Sequence, residues 1–324
     1  MQSERVDVVG VGNAMVDVIT HASDDFVLAQ GMEKGAMNLI DADRGHELYG
    51  LIDDGLEASG GSAANTMAGV ASFGGSASYI GKVSDDELGK VFIDDMRSIG
   101  VGFDVAPAAE GPATGRCLIF VTPDAQRTLN TFLGVSSFLA PDDVSPSTVE
   151  AGSVLFCEGY LWDTPSAKDA IRRAMEVARA AGRKVALTVS DSFCVERHHA
   201  EFLELIDGPV DIVFANEEEL KALYGVEHAA AVEIVRTKVE LACLTMGKHG
   251  SLLVTADETV EIAAEEIAPV VDTTGAGDQY AAGVLYGLAK GLPLPEVGRL
   301  GSLAAAEVIS HVGPRPLRPL SEFL

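Results

Sequence analysis

The sequence predicts a doubly wound α/β sandwich around a mainly parallel sheet, on three observations. Short apolar runs alternate with helix-like segments: VDVVGVG at 6–12, a helical stretch at 62–73, VALTVSD at 185–191, DIVFAN at 211–216 and a second helical stretch at 275–291. The runs carry Val, Ile or Leu at nearly every position, the pattern of strands covered by helices on both faces. Composition agrees: 47% hydrophobic and 22% charged residues lie in the globular range and exclude a disordered or fibrous chain.

Taken in order, the first run ends in Gly10-Val11-Gly12-Asn13, with Asp17 four residues on, where a doubly wound sheet opens its ligand crevice. Gly60-Gly61-Ser62-Ala63-Ala64-Asn65 opens a helix, and its side chains suit either a polyhydroxylated ligand or a plain serine-capped loop. Two stretches break the rhythm, roughly 14–40 and 104–134. The second contains CLIFVTPDAQRTLNTFL, a hairpin turning at Pro123 and Asp124, and the two could pair into a small accessory sheet. DIVFAN delivers Asn216 and Glu219 to a helix N-terminus. Carboxylates there can hold a hydrated Mg²⁺, which needs only one or two of them, or can simply complement the helix dipole.

ELACLT, a glycine turn at Thr245-Met246-Gly247-Lys248-His249-Gly250 and SLLVTAD predict a further hairpin. A strand-like run at 267–271 then feeds Asp272-Thr273-Thr274-Gly275-Ala276-Gly277-Asp278 and a helix closed by Gly291 and Pro293. Two glycines with one methyl between them let backbone approach a ligand, and the unpaired N–H groups of the first helical turn then form an anion hole. Asp278 lies in the same turn, placed to take a proton from a hydroxyl held against those N–H groups. The competing reading is an ordinary helix start with a dipole-stabilised Asp. No linker and no fixed-period repeat divides the chain, so 1–324 is expected as a single domain.

Charge excludes several partners. Lys and Arg total 23 against 49 Asp and Glu, a net charge of −26, and no basic patch offsets it, so neither nucleic acid nor a membrane surface is expected to bind. The N-terminus meets Glu4, Arg5 and Asp7 before any apolar stretch, and nothing approaches 18 consecutive apolar residues; a cytoplasmic protein is expected. Four dispersed cysteines and no H-x3-H array point to a reducing compartment and no zinc site, with the pair His198-His199 expected as solvated surface. The third glycine of a dinucleotide fingerprint would fall at Met15, and G-x-x-x-x-G-K-[ST] is absent, which excludes the usual dehydrogenase and P-loop patterns.

Together the five segments resemble the ribokinase-like, or PfkB, carbohydrate and nucleoside kinases: DTTGAGD matches the C-terminal signature, GGSAAN the N-terminal glycine pair, ANEEE the N-x-x-E motif and LTMGKHG the nucleotide-side turn, over residues 6 to 316. The resemblance implies a three-layer α/β/α sandwich with a small β lid made from the two rhythm-breaking stretches. It also implies transfer of the ATP γ-phosphoryl group to a hydroxyl, with Asp278 as general base and the N–H groups of Gly275, Ala276 and Gly277 as the anion hole. Asn216 and Glu219 would organise Mg²⁺ and its waters, and Thr245, Gly247 and Gly250 would lie along the nucleotide. Asp272 and Thr274 match a site for a monovalent cation such as K⁺, with HVGPRP at 311–316 on its far side. Asn13-x-x-x-Asp17 and the 114–134 stretch look most like the adenosine-kinase branch. By that match Asp17, Asn65 and the Gly60-Gly61 backbone hold a ribose-like ring, with Asn13 and Ser62 beside them, and Tyr160 or Leu161 of EGYLWD offers a slot for a base. A free-sugar kinase (ribose or fructose) and a non-catalytic binding protein on the same fold are the alternatives, and lid pairing makes a homodimer plausible.

Overall fold

The computed structural model describes residues 5–324 apart from Ala125. Its nine-stranded sheet runs, edge to edge, Thr259–Ile262, Ser251–Val254, Leu241–Thr245, Ile212–Asn216, Lys184–Thr188, Gly152–Glu158, Val6–Val11, Ala77–Ile80 and Val101–Phe103. The last seven are parallel, and Ser251–Val254 alone among the described strands of this sheet runs the other way, pairing antiparallel with both of its neighbours. Alternate side chains of each inner strand enter two different cores. Val9, Val11, Leu155, Leu187 and Val213 pack under the helices Pro165–Ala180, Ser192–Asp207, Glu217–Tyr224 and His228–Val235. Val8, Phe156, Ala186 and Phe214 pack under Ser62–Ser72, Ala276–Ala289 and Leu294–Val308. This is the mainly parallel, three-layer arrangement that the apolar runs predict.

A second sheet of five strands runs Met37–Leu39, Arg127–Phe132, Gly115–Val121, Met15–His21 and Leu56–Gly60. The hairpin around Pro123 and Asp124 is present, with Val121 opposite Arg127. Leu56–Gly60 lies outside the two rhythm-breaking stretches and closes the edge beside Met15–His21. Val16, Val18, Leu118 and Phe120 form one face and join the core with Val27 and Leu48 of the helices Asp24–Ala29 and Ala42–Tyr49. The sheet's outer face is therefore covered by the chain's own helices.

Two local expectations are corrected. The 267–271 run forms no strand: Pro269 interrupts it, and Val270 and Val271 are exposed. Of the pair His198-His199, His198 is not solvated surface, since its Nε2 lies 2.7 Å from Asp163 Oδ1 at a kink inside Ser192–Asp207, whereas His199 is exposed as expected, with its Nε2 2.8 Å from Leu223 O. Among the described residues no helix is long and apolar enough to cross a membrane. The four cysteines are buried and unpaired.

Candidate active site

The C-terminal ends of the parallel strands face the second sheet across a cleft of about 810 Å³. Into it the main sheet delivers Asn13 after its first strand, Glu158 at the end of Gly152–Glu158, Ser190 and Asp191 after Lys184–Thr188, Asn216 and Glu219 after Ile212–Asn216, and Thr245. The second sheet contributes Asp17, Cys117, Ile119, Leu129 and Thr131. Apolar packing on both faces of the main sheet thus sets the height and spacing of one wall of polar groups.

At the floor sits the turn Gly275-Ala276-Gly277-Asp278. Gly275 caps its helix at φ +77°, and a Cβ there would strike Pro314, so only glycine fits. The N–H of Ala276 turns back to Thr273 O at 3.2 Å, whereas those of Gly275 and Gly277 meet no acceptor among the described residues. Unpaired N–H groups at a helix N-terminus are an anion site. No side chain caps this helix. Asp278 is instead engaged across the cleft: Ser62 Oγ donates to Oδ1 at 2.6 Å and Asn65 Nδ2 to Oδ2 at 3.1 Å. Burial pushes its carboxyl above the ordinary Asp value, against the lowering effect of those two donors.

The glycine pair places those donors. Gly61, at φ +100°, caps the helix Ser62–Ser72 without a side-chain bond, which leaves Ser62 available for Asp278 rather than for its own helix end. The helix begins at Ser62, where the sequence places the start of its helical stretch. A sequence model of pfkB family carbohydrate kinases matches residues 36–320, a span that contains both glycine turns and Asp278. The chain belongs to this family. It is similar to a solved structure of adenosine kinase from Sinorhizobium meliloti, at 50% identity and TM-score 0.91 over 98% of both chains. A probable sugar kinase protein from Rhizobium etli CFN 42 superposes with TM-score 0.91 at 46% identity, covering 99% of this chain and 98% of that one. An uncharacterized sugar kinase of Archaeoglobus fulgidus is 29% identical over 78% of this chain and 99% of its own length. Family membership makes the protein a carbohydrate or nucleoside kinase and sets aside the non-catalytic alternative.

Most of the residues named from this kinase family's motifs line the cleft: Asn13, Asp17, Gly61, Ser62, Asn65, Tyr160, Asn216, Glu219, Thr245, Thr274, Gly275, Ala276, Gly277 and Asp278. Gly60, Gly247, Gly250 and Asp272 do not. Gly60 lies behind Asp17, whose carboxylate packs against it, and Gly247 and Gly250 form the hairpin turn beyond Thr245. Burial raises Asp17 to about 6, although Arg315 and Arg127 pull it down. Asn216 and Glu219 satisfy each other in a reciprocal cap: Asn216 N donates to Oε2 at 2.9 Å, its Nδ2 to Oε1 at 2.6 Å, and Glu219 N donates to Asn216 Oδ1 at 2.9 Å. Burial pushes Glu219 up to about 7. Of the candidate base contacts, Tyr160 faces the cleft, while Leu161 and Trp162 are core residues.

Three functional-looking residues escape the motif reading. Glu158 is 1% exposed and accepts from Asn13 Nδ2 at 2.9 Å and from Ala63 N at 2.9 Å, tying the first strand's end to the helix that carries Ser62 and Asn65. Burial lifts it to about 7. Arg127, from the second sheet, donates through Nη1 to Asp272 Oδ2 at 2.8 Å and to Thr274 Oγ1 at 3.1 Å, linking that sheet to the signature loop. Arg315, within HVGPRP, donates to Asn65 Oδ1 at 3.3 Å and to Asp95 Oδ2 at 2.8 Å, steadying a partner of Asp278. Gly313 N, in the same segment, reaches Asp272 Oδ2 at 3.1 Å. All three lie in segments that the sequence singles out for other reasons, and their partners are distant in the chain, so sequence spacing carries no signal for these contacts.

Proposed function

We propose that the protein transfers the γ-phosphoryl group of ATP to a hydroxyl of an adenosine-like nucleoside, with Asp278 as the general base. The observation that carries the reading is a half-buried Asp278 carboxylate beside the unpaired N–H groups of Gly275 and Gly277. An acceptor hydroxyl placed between them hands its proton to an Asp278 oxygen as its own oxygen attacks phosphorus in line. The N–H groups meet the charge on the transferring phosphoryl oxygens. Asp17, Asn65 and Asn13 hold the ribose-like ring, and Tyr160 with the exposed Phe193 gives a flat base an apolar wall. The second sheet covers the site with Cys117, Ile119 and Leu129, which keeps water from competing for the phosphoryl group.

Mg²⁺, when bound, neutralises phosphate charge. Each Glu219 oxygen accepts one hydrogen bond and keeps a further lone pair, so Glu219 and Asn216 fit a metal that retains its waters. Asp272 does not fit K⁺ in this arrangement: Arg127 already neutralises it, and Thr274 and Gly313 fill its remaining acceptor positions. No step of the reading runs through K⁺.

A free-sugar acceptor is the second reading, favoured by the likeness to the Rhizobium etli protein. Replacing Asp278→Asn tests the base role shared by both. Turnover is expected to fall about 100-fold or more with the acceptor KM little changed, and a variant within about threefold of wild type would sink the assignment.

A further inference from the structure

The wall of the cleft next to Tyr160 carries a carboxylate that the phosphoryl-transfer scheme leaves unused. Asp191 lines the cleft after the strand Lys184–Thr188, two residues before Phe193, whose ring is 68% exposed. Its Oδ1 accepts from Cys194 N at 2.6 Å and caps the helix Ser192–Asp207, while Arg197, the guanidinium lining the same part of the cleft, is committed to Asp163 at 3.1 Å through both Nε and Nη2. No basic side chain pairs with Asp191 among the described residues. Its direction is fixed from behind. Ser190 takes φ +74°, the one such non-glycine backbone among the described residues, and Tyr160 grips it through N–H to Ser190 Oγ at 3.1 Å and the phenol to Ser190 O at 3.3 Å. Burial and then the Asp191 carboxylate push the Tyr160 phenol up, with smaller contributions from Glu158 and Asp278, so the ring lies within range of all three acids.

We propose that Asp191 determines acceptor specificity by receiving N–H donors from the six-membered-ring edge of a purine held between Tyr160 and Phe193. The proposal rests on the nucleoside reading above. A carboxylate can only accept hydrogen bonds, so this position rewards an exocyclic amine or a ring N–H and gives nothing to a base that lacks both. A site built around a polar partner rejects the analogue without it more strongly than an apolar pocket rejects a missing methylene. The sugar end, with Asp17, Asn13 and Asn65, would then bind the ring common to all nucleosides, while Asp191 sorts the bases.

Asp191→Asn makes a selective test, because the Asn side-chain oxygen still caps the helix and the second carboxylate oxygen is replaced by an N–H₂ donor. Wild-type and variant enzymes are assayed for kcat/KM with adenosine, guanosine and purine riboside, which has the same ring system and no N–H. The ratios of adenosine and of guanosine to purine riboside are expected to fall about tenfold or more in the variant. Ratios unchanged within about twofold, with all three acceptors losing equally, would assign Asp191 a structural role and overturn the proposal. An equal loss accompanied by a raised Mg²⁺ requirement would place it on the nucleotide side and overturn it as well. A wild-type enzyme that phosphorylates free sugars and no nucleoside contradicts the underlying reading itself, which separates that failure from the failure of Asp191.

Discussion

The nine-stranded sheet is buried on both faces by helices, whereas the five-stranded sheet has helices on one face only and gives the other, with Cys117, Ile119, Leu129 and Thr131, to the cleft. The first sheet fixes its polar groups by packing, and neither core can relax without moving the strand ends that carry Asn13, Glu158 and Asn216. On its cleft side the second sheet joins the signature loop through Arg127, paired with Asp272 and Thr274. The difference separates two jobs in one site. Asn13, Glu158 and Asn216 stand at strand ends of the doubly covered sheet and Ser62, Asn65 and Asp278 on helices packed against it, while the singly covered sheet adds Asp17 and the apolar surface proposed to exclude water.

Substitutions on the two sides should therefore fail differently. Gly61→Ala attacks the rigid side: a Cβ at φ +100° would strike the Asn13 carbonyl oxygen, and strain of about 1–3 kcal/mol comes with the backbone alone. The helix bearing Ser62 and Asn65 must shift, and acceptor kcat/KM is expected to fall about 100-fold with ATP hydrolysis falling in parallel. Near-normal transfer would show that the glycine pair has no part in positioning the acceptor.

Arg127→Ala attacks the covering side. Asp272, whose side chain is 11% exposed, loses its cation, and breaking a buried pair costs about 3–5 kcal/mol. Transfer is expected to drop about tenfold. Its signature, however, is a rise in ATP hydrolysis relative to acceptor phosphorylation, read as phosphate release per product formed. Losing both activities in equal proportion would erase the distinction between the two sheets.

The smallest effect concerns Glu158, buried in the rigid side. Its folded value of about 7 stands above the ordinary 4.5, so between those pH values the folded chain keeps a proton that the unfolded chain has released. Stability therefore declines as pH rises through that window. Glu158→Gln removes the titrating group and should flatten the dependence of Tm on pH between about 5 and 7, with acceptor KM rising a few-fold because one of the two oxygens that accept from Asn13 Nδ2 and Ala63 N becomes an NH₂ donor. Identical slopes in the two proteins would show that Glu158 does not titrate there.

The same two regions differ in how much of them the sequence discloses. Strands buried on both faces read directly from Val, Ile and Leu runs, and DTTGAGD keeps the glycine turn and the carboxylate proposed as base on one short segment, so the main sheet and the place of Asp278 were legible. Leu56–Gly60 was not, because LEASG has neither alternation nor β-branched residues and becomes a strand only by pairing with Met15–His21. The run at 267–271 misleads the other way, being apolar enough for a strand yet broken by Pro269. Glu158 and Arg127 act on residues 145 positions or more away for their side-chain partners, Asn13 and Thr274, and such links exist only once the chain has folded.

The central claim is that this cleft moves a phosphoryl group from ATP to an acceptor hydroxyl of a nucleoside. Its most direct test couples ADP release to product detection with ATP, Mg²⁺ and a panel of nucleosides and free sugars. ADP formed one-for-one with a nucleoside monophosphate is the predicted result, and ADP formed with sugar phosphates alone, or no ADP with any acceptor, would contradict it.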